Sequence, residues 1–218
     1  MIEAAFEKIT GGEKYSSGSE SRVYVLPEAM SKPFGEPCVI KIYTEGATLP
    51  VYSIQEQAKH GVPASLDLIP LEDLANHELS IGKGLENIGL NVPKMHRTLT
   101  FGSPLEGNPH YIGGKCVPAV VMGQLGGMRD FEDLYESEHP SAIRSFIKDI
   151  TCAMNNGYRP TDETCHDLNT VYDREGQVTF FDFSRWRKGN PLGKQDINDF
   201  LNTEGVLPNN VWDLDLII

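Results

Sequence analysis

The chain has 218 residues, 39% hydrophobic and 23% charged, the usual balance of a globular protein long enough for one domain or two small lobes. Its net charge of −12, from 19 basic and 31 acidic residues, argues against a nucleic-acid partner, which asks for a basic face. No apolar run approaches the roughly 20 residues of a membrane span, and residues 1–10 lack the basic-then-apolar layout of a cleavable signal peptide. Cys38, Cys116, Cys152 and Cys165 are scattered without a CxxC pair, so reduced thiols in a cytoplasm are expected rather than a zinc site or a disulfide framework.

In chain order, residues 15–25 read YSSGSESRVYV, a small Gly/Ser turn feeding a β-type run at Val23 to Val25. Such a turn can bring backbone N–H groups close to phosphate oxygens, and equally makes a plain hairpin. A Pro/Gly-rich turn at residues 33–37 precedes a second strand, Cys38 to Tyr43, which contains Lys41. Alternation usually sends a strand lysine to solvent, yet Lys41 shares a face with Val39; if Val39 packs inward, the ammonium needs an anionic partner. Residues 48–69 read as irregular, with a short helix around Ile54 to Ala58. After Pro70, the stripe Leu71, Leu74, Ala75, Ile81, Leu85 and Ile88 predicts a helix over about 71–88. Glu78 falls on that stripe. Its carboxylate is either paired, with Lys41 as the partner in logic, or reaches water from the stripe's edge.

Asn91-Val92-Pro93 stops this helix, and strands are expected at Met95 to Phe101, Tyr111 to Ile112 and Val117 to Met122. The last runs into Gly123-Gln124-Leu125-Gly126-Gly127, a connector suited to a hinge. A short helix is expected at Asp130 to Tyr135 and a longer one from Ser141 to about Asn155. The stretch from Cys165 to Trp186, CHDLNTVYDREGQVTFFDFSRW, then reads as a hairpin. A polar turn with Asp167 and Asn169 leads into Thr170 to Tyr172; the turn Asp173 to Gly176 follows, then Val178 to Phe181, ending at Asp182. Folding the two ends together would gather two carboxylates and an amide, hard oxygen ligands that suit Mg²⁺. A surface hairpin with acidic ends reads equally from this stretch alone. A helix near Gly193 to Thr203 and an apolar and acidic run, Val211 to Ile218, are expected to close an α+β fold: a β-rich lobe, a helical lobe and a cleft between them.

In this order the pieces resemble the protein-kinase fold. The resemblance implies one minimal bilobal domain over 1–218, with a β-rich N-lobe to about 122, a hinge at about 123–127 and a truncated helical C-lobe from about 128. Cys38-Val39-Ile40-Lys41 is similar to the kinase Val-Ala-Ile-Lys strand, Glu78 to the helix glutamate, and Val120 to Leu125 to the hinge. The resemblance implies that Lys41, with Gly18, Ser19, Glu20, Ser21 and Val23, handles the triphosphate of ATP, and that Glu78 belongs to the catalytic set. It places Val39 and Met122 among the nucleotide-binding residues, with the backbone of Gly123 and Leu125 at the adenine edge. Asp182-Phe183-Ser184 is similar to Asp-Phe-Gly, which implies Asn169 and Asp182 as Mg²⁺ ligands and Asp167 as the catalytic base.

Several departures sharpen this picture. Asp167 and Asn169 are two positions apart, where the ordinary catalytic loop has about five. Asn169 to Asp182 is thirteen positions, the family's usual separation, so the loop reads as shortened ahead of an intact metal pair. A competing register, with Asn169 in place of the loop lysine and Tyr172 in the metal position, fits the hairpin less well. Cys165 and His166 stand where the family has His-Arg, so control by activation-loop phosphorylation is not expected. Only Gly18 remains of the three loop glycines. Thirty-six residues follow Asp182, with no Ala-Pro-Glu among them.

A core stripped in this way resembles the minimal-kinase family of bacterial type III effectors. That resemblance implies an ATP- and Mg²⁺-dependent serine/threonine kinase, delivered by a bacterium into the host cytoplasm as a virulence factor. Its implied protein partner is the host's ninety-kilodalton heat-shock chaperone, and a monomer is expected. Two other readings stay open: a small-molecule phosphotransferase of the aminoglycoside or choline type, and a pseudokinase acting as a binding module.

Overall fold

The computed structural model of the protein describes residues 2–17, 21–44, 71–126, 129–130, 140–160 and 169–202. They form a mixed α+β structure with a five-stranded antiparallel sheet, two smaller sheets and several helices. The chain divides into two compact units, Met1–Leu79 with Lys94–Gln124, and Ser80–Pro93 with Leu125–Ile218. Residues 80–93, expected with the β-rich part, group with the second unit instead. Asn91 shows why: its Nδ2 donates to the Val178 carbonyl (3.3 Å) and Thr179 Oγ1 (2.5 Å), and its own carbonyl accepts from Phe180 N (3.2 Å).

The first unit opens with a helix that the sequence reading missed, α1 (Ile2–Thr10). It buries Phe6 and Ile9, with the Phe6 ring 5.0 Å from that of Phe101. The sheet contains β1 (Lys14–Ser17), β2 (Ser21–Val25), β3 (Cys38–Tyr43), β4 (Met95–Phe101) and β5 (Val117–Gly123), in the order β1-β2-β3-β5-β4. Every neighbouring pair is antiparallel. A short helix, α2 (Glu28–Ser31), and a 3₁₀ turn, Lys32–Phe34, connect β2 to β3. Strand β3 is central and buried along its whole length, as a strand covered on both faces must be. Ile40 and Ile42 join Phe6, Ile9, Val117, Ala119 and Val121 in one hydrophobic core. No strand forms at Tyr111 and Ile112. The chain turns there instead, with Tyr111 N donating to the Asn108 carbonyl (2.8 Å) and Lys115 N to that of Ile112 (3.0 Å).

The expected long helix, α3 (Leu71–Asn87), has its first nine residues in the first unit and the rest in the second. Leu71, Leu74 and Ala75 enter the first unit's core, and Ile81 and Leu85 are also buried, as the 3.6-residue period requires.

The second unit is built on α4 (Pro140–Asn155), whose stripe of Ala142, Ile143, Phe146, Ile147, Ile150 and Met154 is buried. Strands β6 (Arg129–Asp130), β8 (Thr170–Tyr172) and β9 (Val178–Phe180) form one small sheet, and β7 (Tyr158–Pro160) pairs with β10 (Trp186–Lys188) in another. An aromatic series packs the hairpin: Phe146 to Phe180 at 5.8 Å, Phe180 to Trp186 at 5.5 Å, and Phe183 to Trp186 at 5.9 Å. Asp130 lies in a strand pairing with Val171, which overturns a helix starting there; residues 131–135 lie outside the described residues. The hairpin forms, its second strand ending at Phe180 rather than the expected Phe181, and α5 (Lys194–Leu201) forms near the expected place. The short helix at 54–58 and the run 211–218 also lie outside the described residues. No helix among the described residues is long and apolar enough to cross a membrane.

Candidate functional site

The sheet register gathers the candidate residues of the first unit. Ser21 pairs with Tyr43, Val23 with Lys41 and Val25 with Val39 across β2 and β3. Lys41 pairs with Val120, and Val39 with Met122, across β3 and β5. Directly paired residues share a face. Ser21, Val23, Val39, Lys41 and Met122 therefore stand on one face of one sheet, drawn from three strands.

Lys41 is only 3% exposed, which overturns the solvent-facing alternative for a strand lysine. Its Nζ lies 3.0 Å from Glu78 Oε2 and 3.3 Å from Oε1, and Glu78 is completely buried. The carboxylate on the helix stripe is thus paired and does not reach water. Burying two charges is tolerated only where each is compensated. A third group takes part: the Tyr43 hydroxyl donates a hydrogen bond to Glu78 Oε2. The Lys41 ammonium also lies 5.2 Å from the centre of the Tyr43 ring. Sequence reasoning missed Tyr43, although its place two residues after Lys41 puts both side chains on one face of a strand.

Behind the same strand, His110 is fully buried, with Nε2 2.8 Å from Tyr24 Oη and Nδ1 3.4 Å from the Tyr43 carbonyl. Burial holds this imidazole below its ordinary range and pushes the Tyr24 hydroxyl up. Burial, with the Glu36 carboxylate nearby, likewise pushes the Cys38 thiol up, which makes it a poor nucleophile.

At the end of β5, Gly123 N donates to the Lys94 carbonyl (2.9 Å) and Gln124 N to the Pro37 carbonyl (3.0 Å). Any contact from Gly123 to an adenine edge would therefore use its carbonyl. Leu125 opens the second stretch of the other unit and is half-buried. Gly18, Ser19, Glu20 and Asp167, with Cys165 and His166, lie outside the described residues.

In the second unit, Thr170 pairs with Phe180, so Asn169 falls opposite Phe181, whose N–H donates to the Asn169 carbonyl (3.0 Å). Asp182 is the next residue. The hairpin thus brings Asn169 and Asp182 to the same end. Both adopt left-handed backbone, φ 46° and φ 56°, as no other non-glycine residue does among the described residues. That conformation is uncommon for residues with a Cβ, and Asn and Asp are the types that adopt it most readily. Ser184 Oγ donates to Asp182 Oδ1 at 2.7 Å.

A carboxylate and an amide at one hairpin end are the hard oxygen donors that Mg²⁺ takes, together with phosphate oxygens and water. The residues therefore fit such an ion. No group of three or more His, Cys, Asp and Glu among the described residues is arranged to hold a metal. The pair would bind Mg²⁺ only with oxygens from outside it.

The chain matches no model of a known protein family, and no curated protein matches it.

Proposed function

We propose that the chain is an ATP- and Mg²⁺-dependent protein serine/threonine kinase of minimal bilobal form. The observation that carries this reading is the buried Lys41–Glu78 pair on the sheet face that also holds Ser21, Val23, Val39 and Met122. A lysine kept charged inside a sheet by a helix glutamate is the arrangement that presents an ammonium to nucleotide phosphates in kinases. The left-handed Asn169 and Asp182 at one hairpin end support the same reading. In it, Lys41 meets the phosphates of ATP, Asn169 and Asp182 hold the metal, and Asp167 accepts the proton of the acceptor hydroxyl. Mg²⁺, when bound, neutralises charge developing on the transferred phosphoryl group. The proposal extends to a bacterial effector whose protein substrate is the host's ninety-kilodalton heat-shock chaperone, which rests on the sequence resemblance alone.

The test is transfer of label from γ-labelled ATP with Mg²⁺, with and without eukaryotic lysate. A labelled protein band should appear, then fall by at least about a hundredfold in Lys41→Met, Asp167→Ala and Asp182→Ala, as expected when a group stabilising transition-state charge is removed. Chelating Mg²⁺ should abolish it. Label confined to added aminoglycoside or choline would show a small-molecule phosphotransferase. Nucleotide bound without turnover would show a binding module. Transfer of α-label would overturn phosphoryl transfer itself.

A further inference from the structure

We infer that Tyr43 is a positioning residue for the nucleotide-binding lysine, acting through Glu78; this rests on the kinase reading. Lys41 and Tyr43 are two apart on β3, so both side chains leave the strand on the side where Glu78 lies. Glu78 Oε2 accepts from both of them, one donor a cation and the other a neutral hydroxyl. The two donors do different work. An ammonium shared between a carboxylate and phosphate oxygens has to be partly released by the carboxylate when nucleotide arrives. A carboxylate held by Lys41 alone would follow the ammonium or draw it away from the phosphates. The Tyr43 hydroxyl, on a fully buried ring in the central strand, gives Glu78 a second anchor that does not move with the ligand. Hydrogen bonds to an ionised acceptor are about twice as strong as neutral ones, so this anchor is a firm one. The carboxylate then fixes where the ammonium sits before ATP binds, and the ordering cost is met by the fold rather than by the ligand.

The experiment is a double-mutant cycle in affinity for ATP with Mg²⁺, measured by calorimetry on the full chain. Tyr43→Phe keeps the ring, its packing and its face toward Lys41, and removes only the donor. It should weaken ATP binding about tenfold, equivalent to about 1.4 kcal/mol. In a Glu78→Gln background the same change should alter affinity less than about twofold, because the group through which Tyr43 acts is no longer a carboxylate. Melting temperatures establish that all four proteins are folded at the temperature used. A purely structural Tyr43 would lower the melting temperature and leave affinity unchanged. Tyr43→Phe binding ATP as tightly as the unmutated chain overturns the positioning role, as does an equal loss in both backgrounds. An unmutated chain that binds no ATP overturns the kinase reading, and the role of Tyr43 with it.

Discussion

Taking Lys41 and Glu78 out of water costs more than their mutual attraction returns unless other groups complete the arrangement, which here include the Tyr43 hydroxyl. Removing one partner leaves the other charge buried. Lys41→Met or Glu78→Ala alone should therefore cost about 3–5 kcal/mol in urea denaturation, while Lys41→Met combined with Glu78→Leu should recover much of that loss. A cost under about 1 kcal/mol for either single change would mean that the pair is open to water. His110 makes a second prediction at this scale. Its imidazole is held below the ordinary range, so the unfolded chain takes up a proton that the folded chain refuses. Above about pH 6.5 both states are neutral and the residue contributes no pH dependence; as pH falls below that value, stability should drop. Comparing urea midpoints at pH 7.5 and 5.5 for the unmutated chain and His110→Asn checks this. An equal fall in both proteins would assign the drop to other groups.

At the scale of elements, the β8–β9 hairpin that carries Asn169 and Asp182 is fixed by its turn and by its seat on α4. Asp173 Oδ1 accepts from Glu175 N (3.0 Å) and Gln177 N (2.8 Å), closing the turn with a side chain. Ser145 of α4 accepts from Val178 N (3.1 Å), and Gln177 Nε2 donates to Ser145 Oγ (3.2 Å) and Asp149 Oδ2 (3.3 Å). Gly176, at φ 81°, lies against the start of that helix. A Cβ there would collide with Ser141 Oγ and come within 2.9 Å of Ala142 N. Gly176→Ala should cost about 2 kcal/mol or more, from the left-handed backbone and the contact together. If Asn169 and Asp182 hold Mg²⁺ as proposed and depend on the hairpin's seating, the same variant should also weaken Mg²⁺-dependent ATP binding, read by calorimetry. Unchanged stability in Gly176→Ala would show that the turn relaxes away from α4.

For the whole molecule, a ligand that binds only the folded state raises its stability by mass action. On the proposed kinase reading, ATP with Mg²⁺ at a hundred times its dissociation constant should add about 2.7 kcal/mol, visible as a higher melting temperature. The shift should vanish when Mg²⁺ is chelated and shrink in Lys41→Met. An equal shift with and without Mg²⁺ would separate nucleotide binding from Asn169 and Asp182. The chain's net charge of −12 makes the metal dependence a strict test, because an acidic protein gives an ATP tetra-anion little general attraction.

What the sequence determined by itself is local. Short apolar runs bounded by turn residues set β3 and the hairpin strands, the period of 3.6 set α3 and α4, and the strand–turn–strand pattern put Asn169 and Asp182 at one hairpin end. These patterns are legible because each depends on residues a few positions apart. Helix α1 escaped because its nine residues make only about two and a half turns, with Phe6 and Ile9 as a minimal apolar repeat, and the two-residue strand β6 was mistaken for the start of a helix because so short a run has no usable period. Whether Glu78 reached water or met Lys41 was open in the sequence, since the stripe allowed both and the two residues are 37 positions apart. Only the packing of α3 against the central strand decided it. The same packing brought in the Tyr43 hydroxyl, and no local pattern could name it as the third member, because a tyrosine on a buried strand face is first of all core. Contacts between distant segments are set by which faces exclude water together, and that is a property of the assembled fold.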